Sequence, residues 1–194
     1  MIKTKQRHIT NKQLKAFTLV EISLVLLIIG IIAGGLTKGK HLIESARLKS
    51  VSTDIQNIQL SYNEYVSTYG ALPGDDKEAQ LKFGKTVQNG NGDCKISGED
   101  IKKFWSHLFA ANLIDSETFV KPKIGGSYDI VYENGAAKIR LSENGEPFLT
   151  GKQAVSLKSK LIETPSIDID SVEIYPNNIE TSSSQLYMIK VKLK

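Results

Sequence analysis

The chain has 194 residues, 40% of them hydrophobic and 24% charged, so it is a folded protein of about one domain with an added segment and not a large multidomain enzyme. Its single cysteine excludes an internal disulfide framework and a multi-cysteine metal site. The net charge of +4 arises in residues 1–16, which hold five basic residues and no acidic one. The rest has 20 of the 25 basic residues against 21 acidic ones, which does not indicate a nucleic-acid-binding surface.

Residues 17–37 form an apolar segment in which Glu21 is the only charged residue. A helix of this length spans about 30 Å, the thickness of the hydrocarbon core of a bilayer. The basic cluster precedes the segment, so the positive-inside rule predicts a single-pass inner-membrane protein with a cytoplasmic N-terminus. The domain that follows is then expected in the periplasm.

A secretory signal peptide has the same basic and apolar regions, with Ala33, Gly34 and Gly35 as its cleavage site. Two features disfavour this interpretation. Ile31 stands where such a site needs a small residue, and Glu21 places a carboxylate in lipid at a cost of about 2.5–3.5 kcal/mol. An acid inside a membrane span indicates a functional residue with a charged partner.

Over residues 38–70 the pattern becomes amphipathic, with apolar residues at alternating spacings of three and four. One continuous helix of about 50 residues is predicted, its stripe made of Leu48, Val51, Ile55, Ile58, Tyr62, Tyr65 and Tyr69. A two-helix coiled coil would show the same repeat. The weak charge pairing beside the stripe and the tyrosines on it favour packing against the chain's own domain.

Residues 71–194 are predicted to form a small globular domain. We expect a helix over 97–114, with Ser97 as its N-cap and His107 on its exposed side, and a short helix over 151–162. Alternating residues on both sides of Asn134-Gly135 predict a two-residue hairpin, and residues 189–193 predict a further strand. The fold class is therefore α+β, with a long N-terminal helix packed on a C-terminal domain of helices and an antiparallel sheet.

The sequence Lys15-Ala16-Phe17-Thr18-Leu19-Val20-Glu21 resembles the processing site of type IV pilins and type II secretion pseudopilins. That family has a basic leader, a small residue, Phe, and then an apolar helix whose fifth mature residue is Glu, as Glu21 is when Phe17 is the first. The resemblance implies a leader at residues 1–16, removed by prepilin peptidase between Ala16 and Phe17, and N-methylation of Phe17. The family usually has Gly before the cut, and this chain has Ala16.

Residues 69–75, 89–93 and 105–108 also resemble pseudopilin-like members of that family, so the resemblance covers about residues 12–114. It implies a ladle-shaped fold whose N-terminal helices bundle in a filament. After cleavage, the Phe17 ammonium lies four residues from Glu21 within the membrane, and a carboxylate in lipid needs a cation. The resemblance implies that this cation belongs to a neighbouring subunit.

The favoured function is a structural subunit of a type II secretion pseudopilus or a type IV pilus-like filament, with the lone Cys94 favouring the pseudopilus. The alternative is a membrane-anchored periplasmic binding module that does not assemble, which needs no acid at the fifth mature position. An enzyme is not expected, because the sequence has no nucleophile motif, no paired histidines and no phosphate-binding glycine loop.

Residues 89–100 have the ligand spacing of a twelve-residue EF-hand loop. Its side-chain and backbone ligands would come from Asn89, Asn91, Asp93, Lys95, Ser97 and Asp100. Cys94 replaces the glycine of such loops and Asp100 replaces a bidentate Glu, so we expect weak calcium binding, of the order of 10⁻⁴ to 10⁻³ M. The alternative is an Asn/Gly-rich turn that binds no ion. No other cofactor is expected.

Overall fold

The structure is a computed structural model that describes residues 17–117, 121–165, 167–178 and 184–193. The chain divides into two compact units, Met1–Leu42 and Ile43–Lys194. Helix α1 extends from Leu19 to Tyr69 and has 51 residues, which confirms the predicted continuous helix.

In the first unit, α1 is apolar and exposed. Every side chain from residue 17 to residue 36 is exposed, and the helix is long and apolar enough to cross a membrane by length and composition. Thr18 stands just before the first turn, where its hydroxyl accepts the N–H of Glu21 at 3.2 Å and its carbonyl accepts the N–H of Ile22. Thr18 is thus the N-cap of α1.

In the second unit, α1 buries the predicted stripe. Five of its residues are at most 3% exposed and Tyr62 is 8% exposed, while Tyr69 packs at the edge of the core. The five are Leu48, Val51, Ile55, Ile58 and Tyr65. The stripe joins one hydrophobic core with residues of the sheet and of the other helices, so this half of α1 packs on the chain's own domain as predicted.

In the part of the second unit that the structure describes, five antiparallel strands form one sheet. They are β1 (Ser127–Glu133), β2 (Ala136–Ser142), β3 (Leu149–Thr150), β4 (Val172–Tyr175) and β5 (Leu186–Lys192). The strand order is β1-β2-β5-β3, and β4 also pairs with β5. Asn134 and Gly135 have φ of 53° and 76°, the two positive values that a type I′ hairpin turn needs, so the predicted hairpin is confirmed.

The described residues of this unit form three further α-helices: α2 (Ala79–Phe83), α3 (Glu99–Ala110) and α4 (Gly151–Ile162). Helix α4 has the predicted bounds. Thr150 and Gln153 form a reciprocal capping box that fixes its start. Helix α3 is shorter than predicted at both ends. Its N-cap is Gly98, with φ of 55° and no side-chain cap, so the prediction of Ser97 as the cap is wrong. The observed architecture confirms the α+β class.

The buried stripe predicts unequal effects of truncating two neighbouring positions on α1. Ile58 is 0% exposed, so Ile58→Ala should lower the free energy of unfolding by about 2–5 kcal/mol. Leu60 is 54% exposed, so Leu60→Ala should change it by about 0.5 kcal/mol or less. Urea unfolding of the protein in detergent micelles, followed by the fluorescence of Trp105, measures both. Equal losses would contradict the burial of the stripe.

Candidate functional site

Phe17 and Glu21, predicted to serve in processing and assembly, lie at the start of α1. Residues 1–16, and with them Ala16, are outside the described residues. Phe17 is exposed and precedes the helix, and Glu21 is exposed in its first turn. The helix dipole favours a carboxylate in the first turn, so this position reduces the cost of the acid within the apolar segment.

A second group of polar residues surrounds Asp75, in the turn that follows α1. Asp75 is 4% exposed. Its Oδ1 accepts the N–H groups of Gly92 and Asp93 at 2.6 and 3.1 Å, and its Oδ2 accepts that of Cys94 at 2.8 Å. One buried carboxylate therefore holds three consecutive peptide groups of the 89–98 loop.

The backbones of the turn and the loop also approach each other closely. The N–H of Gly90 donates to the carbonyl of Asp76 at 2.8 Å, and that of Gly92 donates to the carbonyl of Asp75 at 3.0 Å. A Cβ atom on Gly90 would overlap the backbone of Asp75, so only glycine fits there. Cys94 completes the loop with φ of 62°, a left-handed conformation at the position where an EF-hand has glycine.

Two of the predicted calcium ligands lie beside Asp75. Asp75, Asp93 and Asp100 each offer a carboxylate oxygen within 4.8 Å of the other two. Asp93 is exposed, whereas Asp75 and Asp100 are buried. Asp100 Oδ1 is 3.4 Å from Lys103 Nζ, and Asp100 Oδ2 is buried with no hydrogen-bond partner in the described part of the chain.

The two predicted asparagine ligands bind peptide groups through their Oδ1 atoms. Asn89 Oδ1 accepts the N–H of Gln80 at 2.7 Å, and Asn91 Oδ1 accepts that of Asp93 at 2.9 Å. Asp93 Oδ1 likewise accepts the N–H of Lys95 at 3.0 Å. The amide side chains thus shape the loop, and the carboxylates form the cluster.

Sequence reasoning did not find Asp75, which lies 14 residues before Asn89. Its place in the Leu72-Pro73-Gly74-Asp75 turn indicates only a chain reversal. The sequence did contain a signal, because this turn and the Asn/Gly-rich loop are two of the three segments that share the same family resemblance.

The neighbouring residue, Asp76, fixes the turn to α1. It is 2% exposed, and its Oδ2 accepts hydrogen bonds from the Tyr65 hydroxyl at 2.9 Å and from Lys82 Nζ at 2.7 Å. Burial alone raises the pKa of Asp76, but hydrogen bonds from Lys82, from the N–H of Glu78 and from Tyr65 more than offset it, so the pKa lies below its usual value. Burial, reinforced by Asp76, raises the pKa of Tyr65.

His107 joins α3 to both the turn and the loop. It is 0% exposed, so the prediction of a surface histidine is wrong. Nδ1 accepts the N–H of Gly74 at 2.9 Å, which leaves Nε2–H to donate to the carbonyl of Gln88 at 2.7 Å. Burial lowers the pKa of His107, although the Gln88 hydrogen bond and Asp76 act in the opposite direction. The neutral ring is therefore the form built into the fold.

Comparison with known proteins gives one structural likeness. No family model matches the chain, and neither does any curated protein sequence. The structure is similar to that of the major type IV pilin PilA1 from Clostridium difficile, with 18% sequence identity and a TM-score of 0.44. The match covers 78% of this chain and 97% of the pilin chain. At this identity the chain is similar to that pilin and is not assigned to its family.

The buried neutral His107 predicts that stability falls in mild acid. The unfolded chain takes up a proton near the ordinary pKa of about 6.5, whereas folded His107 resists protonation. Its contribution is therefore complete above about pH 6.5 and decreases as the pH falls through that value toward the lower folded pKa. Urea unfolding at about pH 7.5 and 5.5 measures this loss. His107→Gln, whose amide can accept and donate the same two hydrogen bonds, should reduce the loss. An equal loss in that variant would contradict the assignment.

Proposed function

We propose that the chain is a structural subunit of a pilin-like filament, either a type II secretion pseudopilus or a type IV pilus-like fibre. The observation that carries this proposal is the first part of α1, where residues 17–36 are exposed and Glu21 is the only charged residue. Burying a large apolar side chain is worth about 1.5–3 kcal/mol, so this surface requires a covering. A bilayer covers it before assembly, and the same segments of other subunits cover it in the filament.

Glu21 provides the polar contact of this helix bundle. A carboxylate among apolar helices requires a cation. In the proposed filament that cation is the Phe17 ammonium of a neighbouring subunit, and N-methylation preserves its charge. Because one acid pairs with one amine, the pair sets the axial offset between adjacent subunits.

The local structure of α1 is compatible with removal of a leader. Thr18 is the N-cap, so cleavage between Ala16 and Phe17 leaves the helix and its cap intact. The new ammonium then lies immediately before the cap, at the end of the helix where Glu21 also lies. We infer that a prepilin peptidase removes residues 1–16 and that the associated methyltransferase modifies Phe17.

The proposed location follows from the charge on the two sides of the apolar segment. Residues 1–16 are basic and precede it, which favours a cytoplasmic N-terminus and a periplasmic second unit. Cys94 is an exposed free cysteine, and as the only cysteine it leaves the second unit without the disulfide loop of many pilin heads. This favours a pseudopilus. A membrane-anchored binding module that does not assemble is the alternative tested below.

Processing predicts one N-terminus for the mature protein. Sequencing of the membrane-extracted protein, produced in cells with a prepilin peptidase, should begin at methylated Phe17. Ala16→Gly restores the residue usual in the family and should be processed at least as completely. Ala16→Leu places a bulky side chain before the cut and should leave the leader attached. A chain starting at Gly34, or an intact Met1 in the unmutated protein, would contradict the proposal.

Assembly should depend on the carboxylate of Glu21. Glu21→Gln preserves size and membrane insertion but removes the charge, so chemically crosslinked oligomers on membranes should decrease by roughly tenfold, as expected for a lost charge pair of about 1.4 kcal/mol or more. Glu64→Gln makes the same chemical change at an exposed position of α1 in the second unit and should leave crosslinking unchanged. Equal crosslinking of the Glu21→Gln and unmutated proteins would favour the binding module that does not assemble.

A further inference from the structure

We propose that Asp75, Asp93 and Asp100 form a calcium site in the second unit, independent of filament assembly. The three carboxylates converge from three segments of the chain: the turn after α1, the 89–98 loop and the first turn of α3. This set differs from the EF-hand prediction, because Asp75 enters it and the Oδ1 atoms of Asn89 and Asn91 are engaged with peptide N–H groups.

Ion pairs among the described residues do not balance the charge of the cluster. Three carboxylate oxygens lie within 4.8 Å of one another, and two of the three residues are buried. Among the described residues, the only ion pair of the cluster joins Asp100 to Lys103, at 3.4 Å. One ammonium against three carboxylates leaves net repulsion at short range, which a divalent cation removes.

A second observation, independent of the clustering, concerns the hydrogen bonding of Asp100. This residue is 2% exposed, and its Oδ2 has no hydrogen-bond partner among the described residues. Buried carboxylate oxygens normally accept hydrogen bonds, because moving such an oxygen out of water without a hydrogen-bond partner is costly. A cation bound to this oxygen supplies the missing interaction.

The donors and their setting favour calcium among the common ions. All three side chains offer hard oxygen atoms, and Ca²⁺ accepts irregular sets of six to eight oxygens, whereas Mg²⁺ requires a near-ideal octahedron. Within the described part of the chain, Asp75 Oδ2 accepts the N–H of Cys94 and no other hydrogen bond, so it retains a lone pair for an ion. Exposed Asp93 leaves the cluster open to solvent on one side, where water completes the coordination.

Thermal unfolding of the full-length protein in detergent micelles tests the site. After treatment with a chelator, about 10 mM CaCl₂ should raise Tm by roughly 5 °C, as expected for a Kd near 10⁻⁴ M. The same concentration of MgCl₂ should raise it far less. No calcium response, or an equal response to magnesium, would overturn the proposal.

Two isosteric variants and a matched control separate ion binding from a structural role. Asp93→Asn and Asp100→Asn should each weaken calcium binding at least about tenfold. In chelator, Asp93→Asn should be as stable as the unmutated protein or more stable, because repulsion is relieved and no ion pair among the described residues is lost. Glu99→Gln is the matched control: it removes the charge of an exposed residue that lies next to Asp100 and pairs with Lys102. This variant should keep the full rise of Tm in calcium. Equal destabilisation of the Asp variants with and without calcium would show a structural role and overturn the proposal.

Terbium luminescence provides a measurement that does not depend on stability. Trp105 follows Asp100 by five residues on α3, about 7.5 Å along the helix axis, and is the only tryptophan of the chain. Excitation of Trp105 should sensitise bound Tb³⁺, and calcium should displace that emission. Emission that persists at full intensity in both Asp93→Asn and Asp100→Asn would contradict the assignment.

Discussion

The second unit depends on the burial of one face of α1 between residues 43 and 69. This part of α1 also makes polar contacts with α4, with the segment after α3 and with β1. The Ser52 hydroxyl donates to the carbonyl of Lys160 at the end of α4, and the Ser61 hydroxyl donates to that of Leu113 after α3. The Tyr128 hydroxyl of β1 donates to Asp54 at 2.8 Å. The apolar contacts supply most of the stability, and these hydrogen bonds fix which element lies at which level of the helix.

Elements determined by local sequence were predictable. Helix α1 follows from its periodicity, and the β1–β2 hairpin from an Asn-Gly pair whose backbone must adopt positive φ. Helix α4 was predicted at its observed bounds, and the structure shows that a local capping box stabilises its start. The start of α3 was missed because Gly98, with positive φ, ends the preceding loop and leaves Ser97 outside the helix. The burial of His107 was missed because its partners, Gly74 and Gln88, are distant in sequence and satisfy both ring nitrogens.

The candidate metal site was predictable only in part, for the same reason. Asp93 and Asp100 lie in one loop and its following helix, so a spacing rule finds them. Asp75 reaches the cluster only through tertiary structure: Tyr65 and Lys82 hold its neighbour Asp76, and His107 holds Gly74 on the other side. Cys94 stands where an EF-hand loop has glycine, and the structure shows it in the left-handed conformation that glycine adopts readily. For a residue with a Cβ atom, this conformation costs about 1–2 kcal/mol relative to glycine.

The position of β5 in the sheet has a consequence for the order in which the second unit folds. Strands β3 and β4 pair with β5, and β2 uses β5 as its second neighbour. The β1–β2 hairpin closes through a two-residue turn, whereas the β2–β5 pairing joins Lys138 to Lys192 across a long intervening segment. Closing a loop of that length is slow compared with forming a hairpin. We therefore expect the β1–β2 hairpin to form before β5 pairs with it, and the sheet to be complete only when β5 has entered between its neighbours.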